Sequence, residues 1–196
     1  MKQILKYIYS VLTENLKQAE GKHSVLIALN SAIAVFISGY LKNTSLVIKF
    51  ISCIIIIFSV FSLFFSFVAL LSRKIKYYKN IKEISQDLNL IYYKHIIKFS
   101  YEKYLREIKK RYDFPSDYEF DGLDEDIAKQ IIATANVTNL KFTYFNYSIF
   151  CLLFELLLTI LNVSLVGLGV WILKRNLSIG WRAWLKTTQS LLRLKV

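Results

Sequence analysis

The stretch LVIKFISCIIIIFSVFSLFFSFVALLS, residues 46–72, decides the fold. Lys49 is its one charged residue, and as an α-helix at ~1.5 Å per residue it is ~40 Å long. The hydrocarbon core of a bilayer is ~30 Å thick, so the run is long enough to cross it. Backbone amides in lipid must find partners within the protein, and one continuous apolar run of this length does so as a helix. A shorter apolar run, residues 24–41, comes just before it, and only Lys42-Asn43-Thr44-Ser45 stands between the two. They must therefore form a tight antiparallel hairpin. A third run covers residues 147–173. Buried helices of a soluble protein are the competing reading, but three such runs leave too little polar sequence to cover them. The expected fold class is all-α and integral to a membrane, with an N-terminal two-helix hairpin, a cytosolic helical segment and a third long spanning helix.

Composition points the same way. Hydrophobic residues make up 55% of the 196, yet the formal charge is +12. Apolar spans joined by basic cytosolic segments produce both at once. Lys and Arg are spread over every segment outside the spans instead of gathering in one patch, which argues against a nucleic-acid polymer as partner. Cys53 and Cys151 lie inside apolar runs and imply neither a disulfide framework nor a zinc site. The N-terminus is a basic amphipathic stretch rather than a secretory signal.

Sidedness follows from the basic residues. Residues 73–146 hold fourteen Lys and Arg, and the arm 1–23 adds Lys2, Lys6, Lys17 and Lys22, whereas the hairpin turn offers Lys42. The arm and the middle segment are therefore expected in the cytosol. Three spans then put the tail 174–196 outside, with Lys174, Arg175, Arg182, Lys186, Arg193 and Lys195, against the rule, whereas a tail inside would need a re-entrant third segment. In that tail Trp181, Trp184, Leu185, Thr188 and Leu192 share a helical face opposite the basic residues, the pattern of a helix lying in a membrane interface.

Within the arm, Ile4, Ile8, Val11, Leu12, Leu16 and Ala19 recur at helical spacing, and Gly21 alone interrupts the way into the first span. One helix is expected through both. The second span is expected to continue past Ser72 on Ile75, Tyr78, Ile81, Ile84 and Leu88. Residues 89–97 read as β-prone and too short for a helix of their own. Ser100 is the expected N-cap of a helix to about Tyr112, residues 113–117 form a loop, and Asp121 caps the last helix. That helix should run ~50 residues to about Lys174, ~75 Å.

Catalysis finds little support. No phosphate-binding glycine loop, zinc-protease motif or nucleophile elbow is present. His23 sits at a membrane edge and His95 beside an apolar patch, and the acids between Asp117 and Asp126 suit a solvated loop at a helix start better than a metal. No metal site, resident cofactor or enzymatic activity is expected.

The spans say more. Ser52, Ser59, Ser62, Ser66 and Ala69 recur on one face of the second, and Ser24, Ala28, Ser31 and Ser38 on one face of the first, beside Gly39. Small residues let helices approach closely in lipid, which fits packing within the hairpin or a homo-oligomer. In the third span Glu155, Thr159, Asn162 and Gly169 share a face. A carboxyl group at that depth faces a bundle interior or a wet cavity. Glu155 lies ~12 Å and Asn30 ~9 Å from the cytosolic edge, so the two could meet, as interhelical glue or as the lining of a pore.

With these segments placed, the chain resembles a known family. Ala19-Glu20-Gly21-Lys22 ahead of a span is similar to the "Ala-Asp-x-Lys-Ala" lead-in of the Pycsar transmembrane effectors. The stretch from Asn89 to Ile96, followed by Tyr101-Glu102-Lys103-Tyr104-Leu105, resembles that family's "N-L-x-F/Y-F/Y-x-x-I … x-E-x-Y-L". Asp126-Ile127-Ala128-Lys129-Gln130-Ile131, then Asn136 and Lys141, is similar to its "D-x-x-x-Q-I … N … K" helix. The match covers residues 15 to about 165 in order. Glu20 stands for the usual Asp and His23 for the usual Ala, and the tail lies outside the resemblance.

The resemblance implies a multi-pass antiphage effector of the bacterial inner membrane. Its activating ligand would be a cyclic nucleotide, a cyclic pyrimidine mononucleotide by preference. The outcome would be an impaired membrane, by a pore or by bilayer disruption, and an arrested cell. Such a ligand needs aromatic faces, amides and a cation. Tyr92, Tyr93, Asn89, Gln130, Asn136, Lys22 and Lys141 offer these, while helix packing is the plain alternative for each. Two rival functions stay open, a constitutive membrane scaffold that recruits a cytosolic partner and a small channel subunit.

Overall fold

A computed structural model of the chain describes residues 1–40, 45–71 and 88–193. The hairpin turn and residues 72–87 of the expected continuation lie outside the described residues, as do the side chains of the tail face from Trp181 to Leu192. Leu88, the expected end of that continuation, is not helical and is buried in the core. Five helices follow in order: α1 (Lys2–Tyr40), α2 (Leu46–Leu71), α3 (Tyr93–Ile96), α4 (Tyr101–Arg111) and α5 (Gly122–Arg193). No strand occurs among the described residues. Three of the helices are long and apolar enough to cross a membrane.

The arm and first span form one helix, as their spacing predicts. Gly21 sits exposed with open space where a Cβ would stand, so it weakens α1 locally without breaking it. Residues 89–97 depart from the β-prone reading. The Asn89 Oδ1 accepts from the Ile91 and Tyr92 amides at 2.8 and 3.3 Å, and the Asn89 amide donates to His95 Nδ1 at 2.9 Å. This side-chain turn starts the single turn of α3, and with no strand among the described residues to pair with, the β-preference of Ile91, Tyr92 and Tyr93 goes unused.

Ser100 caps α4 through the Lys103 amide, and Asp121 caps α5 through the Asp124 amide at 2.8 Å. At the end of α4, Asp113 takes a positive φ of 50° and the Phe114 amide bonds back to the Lys109 carbonyl, a Schellman close ahead of Pro115. The last helix is longer than expected. It continues through Lys174 to Arg193, 72 residues or ~108 Å. Gly180 is the one glycine on that stretch, and no proline stops it. The basic tail therefore extends the rod and does not open a separate helix.

α5 packs against each of the other four helices. Its first third joins Leu5, Ile8 and Leu12 of α1 with Leu90, Ile96, Phe99, Tyr104, Leu105 and Ile108, closing an apolar core on Ala128, Ile131, Ile132 and Ala135. The Tyr104 hydroxyl donates to the Leu90 carbonyl at 2.7 Å, and burial raises that phenol's pKa. Lys2–Asp121, Glu20–Lys141 and His23–Lys141 contacts show α1 and α5 running parallel. α2 runs antiparallel to α5, since Ser66 meets Ser148 while Ser52 meets Asn162.

Candidate functional site

Two polar constellations stand out. The first sits where α1, α3 and α5 meet, beside the apolar core. Lys141 is 3% exposed, and its ammonium bonds Glu20 Oε1 at 2.7 Å. A buried cation needs such a partner, and the half-exposed Glu20 supplies it from one turn before the first span. His23 Nε2 lies 3.0 Å from the Lys141 carbonyl, which can only accept, so Nε2 carries the proton. Burial pushes this imidazole below its ordinary range, leaving a neutral ring whose Nδ1 has no partner among the described residues.

Lys22, next in sequence, points outward. Its ammonium rests over the rings of Phe142 and Phe145, 5.2 and 5.5 Å from their centroids. No carboxylate among the described residues lies within ion-pair reach of it. Phe142 in turn stacks on Tyr93, centroids 5.3 Å apart and planes 17° apart, and Tyr93 leans on Tyr92 at 4.8 Å. Burial, and after it the Tyr92 hydroxyl, lifts the Tyr93 phenol to about 12, so it remains a neutral aromatic platform. Tyr92 is 39% exposed. The result is an aromatic row with an accessible cation at one end and, at the other, the partly exposed Tyr92, which also meets the His95 ring edge-on at 5.2 Å.

Of the residues expected to bind ligand, the structure gathers Lys22, Tyr92, Tyr93 and Lys141 here. Asn89 lies in the turn before Tyr92, but its side-chain oxygen is spent on backbone amides. Asn136 Nδ2 donates back to the Ile132 carbonyl at 2.9 Å. Gln130 is exposed ~16 Å farther along α5 than Lys141, outside this cluster. Phe142 and Phe145 were missed from sequence, because a Phe in a long apolar helix carries no mark of which partner it will meet.

The second constellation lies between the spans. Ser66, Ser59 and Ser52 of α2 face Ser148, Glu155 and Asn162 of α5. Ser66 and Ser148 hydroxyls are 2.8 Å apart, Ser59 donates to Glu155 Oε1, and Asn162 Nδ2 donates to Ser52 Oγ at 2.8 Å. Ser62 adds a second bond to Ser148 at 2.9 Å. Each step of seven along one helix is answered by a step of seven along the other, the repeat that keeps two helices in contact. Two expectations change here. Asn30 does not bond Glu155: its Nδ2 turns back to the Leu26 carbonyl at 2.6 Å. The α2 serine stripe is also consumed within the chain, buried against α5, while Ser24, Ala28, Ser31 and Ser38 of α1 stay exposed.

Comparison with known proteins gives one finding. Residues 4–168, well over half of the chain, match the family profile described as the Pycsar effector protein domain. No curated protein and no solved structure matches the chain.

Proposed function

We propose that this chain, which belongs to the Pycsar effector family and is thereby an antiphage defence effector, senses a cyclic nucleotide and impairs the membrane that its helices cross. The observation that carries the proposal is the row Lys22–Phe142–Tyr93–Tyr92, which ties α1, α5 and α3 together. Lys22 takes the cyclic phosphate, held in place by the rings beneath it. The exposed part of the Tyr92 ring stacks a base. A cyclic pyrimidine mononucleotide, with one phosphate and one small base, suits a site offering one accessible cation and one partly exposed ring. Because the row spans three elements, a ligand on it binds one packing of α1 against α5 better than another, and such differential affinity is what drives a switch. The membrane is the bacterial inner membrane, with the arm and residues 73–146 in the cytosol.

Isothermal titration of the detergent-purified chain against cyclic mono- and dinucleotides tests the site. Cyclic pyrimidine mononucleotides should bind, Lys22→Ala and Tyr93→Ala should each lose at least tenfold in affinity, and Gln130→Ala should bind like wild type. Loss at Gln130 with no loss at Lys22 moves the site along α5. A potential-sensitive dye in cells tests the outcome. Equal depolarisation with and without the nucleotide replaces the gated effector with a constitutive pore.

A further inference from the structure

The polar contacts between the spans continue upward into the first constellation. Lys141, Ser148, Glu155 and Asn162 are spaced by seven, so one face of α5 carries a polar group every ~10 Å over ~32 Å, about the thickness of a hydrocarbon core. All four are at most 3% exposed. Several polar atoms on this line have no hydrogen-bond partner among the described residues: His23 Nδ1, Asn30 Oδ1, Glu155 Oε2 and Asn162 Oδ1. Each is a cost in a dry interior, and together they are more than interhelical glue requires.

Helix register sets their order. The Lys2–Asp121, Glu20–Lys141 and His23–Lys141 contacts offset α1 from α5 by about 120 residues. Asn30 therefore lies between the levels of Ser148 and Glu155, and its Oδ1 is without a partner among the described residues there. Beyond Glu155 the pattern changes. Ile37 of α1 comes level with Glu155 or just past it, and Ile55 of α2, between Ser52 and Ser59, falls between Glu155 and Asn162. Both isoleucines are fully buried. A polar half thus runs from Glu20, His23 and Lys141 past Ser148 and Asn30 to Glu155. Ile37 and Ile55 then separate Glu155 from Asn162 and Ser52, beside the half-buried Thr159, whose hydroxyl is already used in donating to the Glu155 carbonyl at 2.8 Å.

We propose that the interior of the three-helix bundle is a proton half-path, connecting Glu155 with the Glu20–Lys141 end and closed beyond Glu155 by Ile37 and Ile55. Burying a neutral acid is far cheaper than burying a carboxylate, so Glu155 holds a proton at its carboxyl. Water bridging the orphan oxygens relays that proton toward the Glu20–Lys141 end, and a proton from that end replaces it. Parting the two isoleucines completes the path to the far side. For its physiological role the inference rests on the effector reading, and it names protons as what crosses. The half-path itself needs no nucleotide.

The full-length chain in lipid vesicles, without nucleotide, provides the test. Ile55→Ser should raise proton flux into pyranine-loaded vesicles at least tenfold over wild type without releasing carboxyfluorescein. Adding Glu155→Gln to Ile55→Ser should return the flux to the wild-type rate. Tight Ile55→Ser vesicles, dye release, or flux that survives Glu155→Gln would each overturn the proposal. Infrared spectra of the unmutated chain give a second measurement. The neutral carboxyl band, assigned by its loss in Glu155→Gln, should shift within minutes of transfer to D₂O. Ser148→Val should slow that shift at least tenfold, and Asn162→Val should leave it unchanged. A band that holds for hours, or the reverse dependence on the two residues, sinks the half-path. If nucleotides fail to depolarise cells while these results hold, the effector reading falls and the half-path stands.

Discussion

The two ends of this molecule are built inside out relative to each other. Around Leu5, Tyr104 and Ile131 the interior is apolar, and polar side chains such as Lys129 and Glu102 face outward. Between the spans the interior holds Ser59, Ser148, Glu155 and Asn162, while Phe61, Phe64, Phe150 and Leu157 face outward. One helix, α5, passes through both regimes and changes its buried face from Ile131 and Ala135 to Ser148 and Glu155. The difference follows the solvent. In water, removing apolar area holds elements together. In lipid that term vanishes between helices, and close packing with interhelical hydrogen bonds takes its place.

Substitutions at the two ends can break or sharpen this contrast. The largest effect belongs to the apolar end: Ile108→Ala should cost about 3 kcal/mol through lost burial and a cavity, read as lowered thermal stability in detergent. Between the spans the severe change is one of size. Ser148→Leu should cost about 2 kcal/mol by forcing α2 from α5, although it adds apolar area, and cysteine cross-linking between the two helices would report the separation. An α4 that needs its cap should lose about 1 kcal/mol in Ser100→Ala, seen as faster amide exchange over residues 101–105. The smallest effect is Ser59→Ala, about 0.6 kcal/mol for one interhelical bond, by the same thermal assay. If Ser59→Ala outweighs Ile108→Ala, the two ends are not held by different forces.

Particular residues show where the sequence was legible. Ser100 and Asp121 announce their helices because a cap is a local bargain between one side chain and amides three residues on. The spans are legible because length and hydropathy alone meet the demand of a bilayer. The stretch 89–97 misled, because β-preference needs a partner strand and the Asn89 turn satisfied the backbone first. The polar spacing of Ser52, Ser59 and Ser66 against Ser148, Glu155 and Asn162 could be counted in advance, but not which helix would receive it. Asn30 shows the limit: depth placed it near Glu155, and rotation of α1 about its own axis turned it to its own backbone.

The sequence by itself determined the all-helical class, the three membrane-length helices and the caps, since each rests on composition or on contacts within a few residues. It also carried the motifs through which the family is legible. Tertiary structure alone decided that Phe142 lies between Lys22 and Tyr93, that Glu20 neutralises Lys141, and that Ile37 and Ile55 are buried near the level of Glu155. Those facts depend on the offset of α1 against α5 and the rotation of each helix. Many weak contacts, summed over the length of the rods, set both.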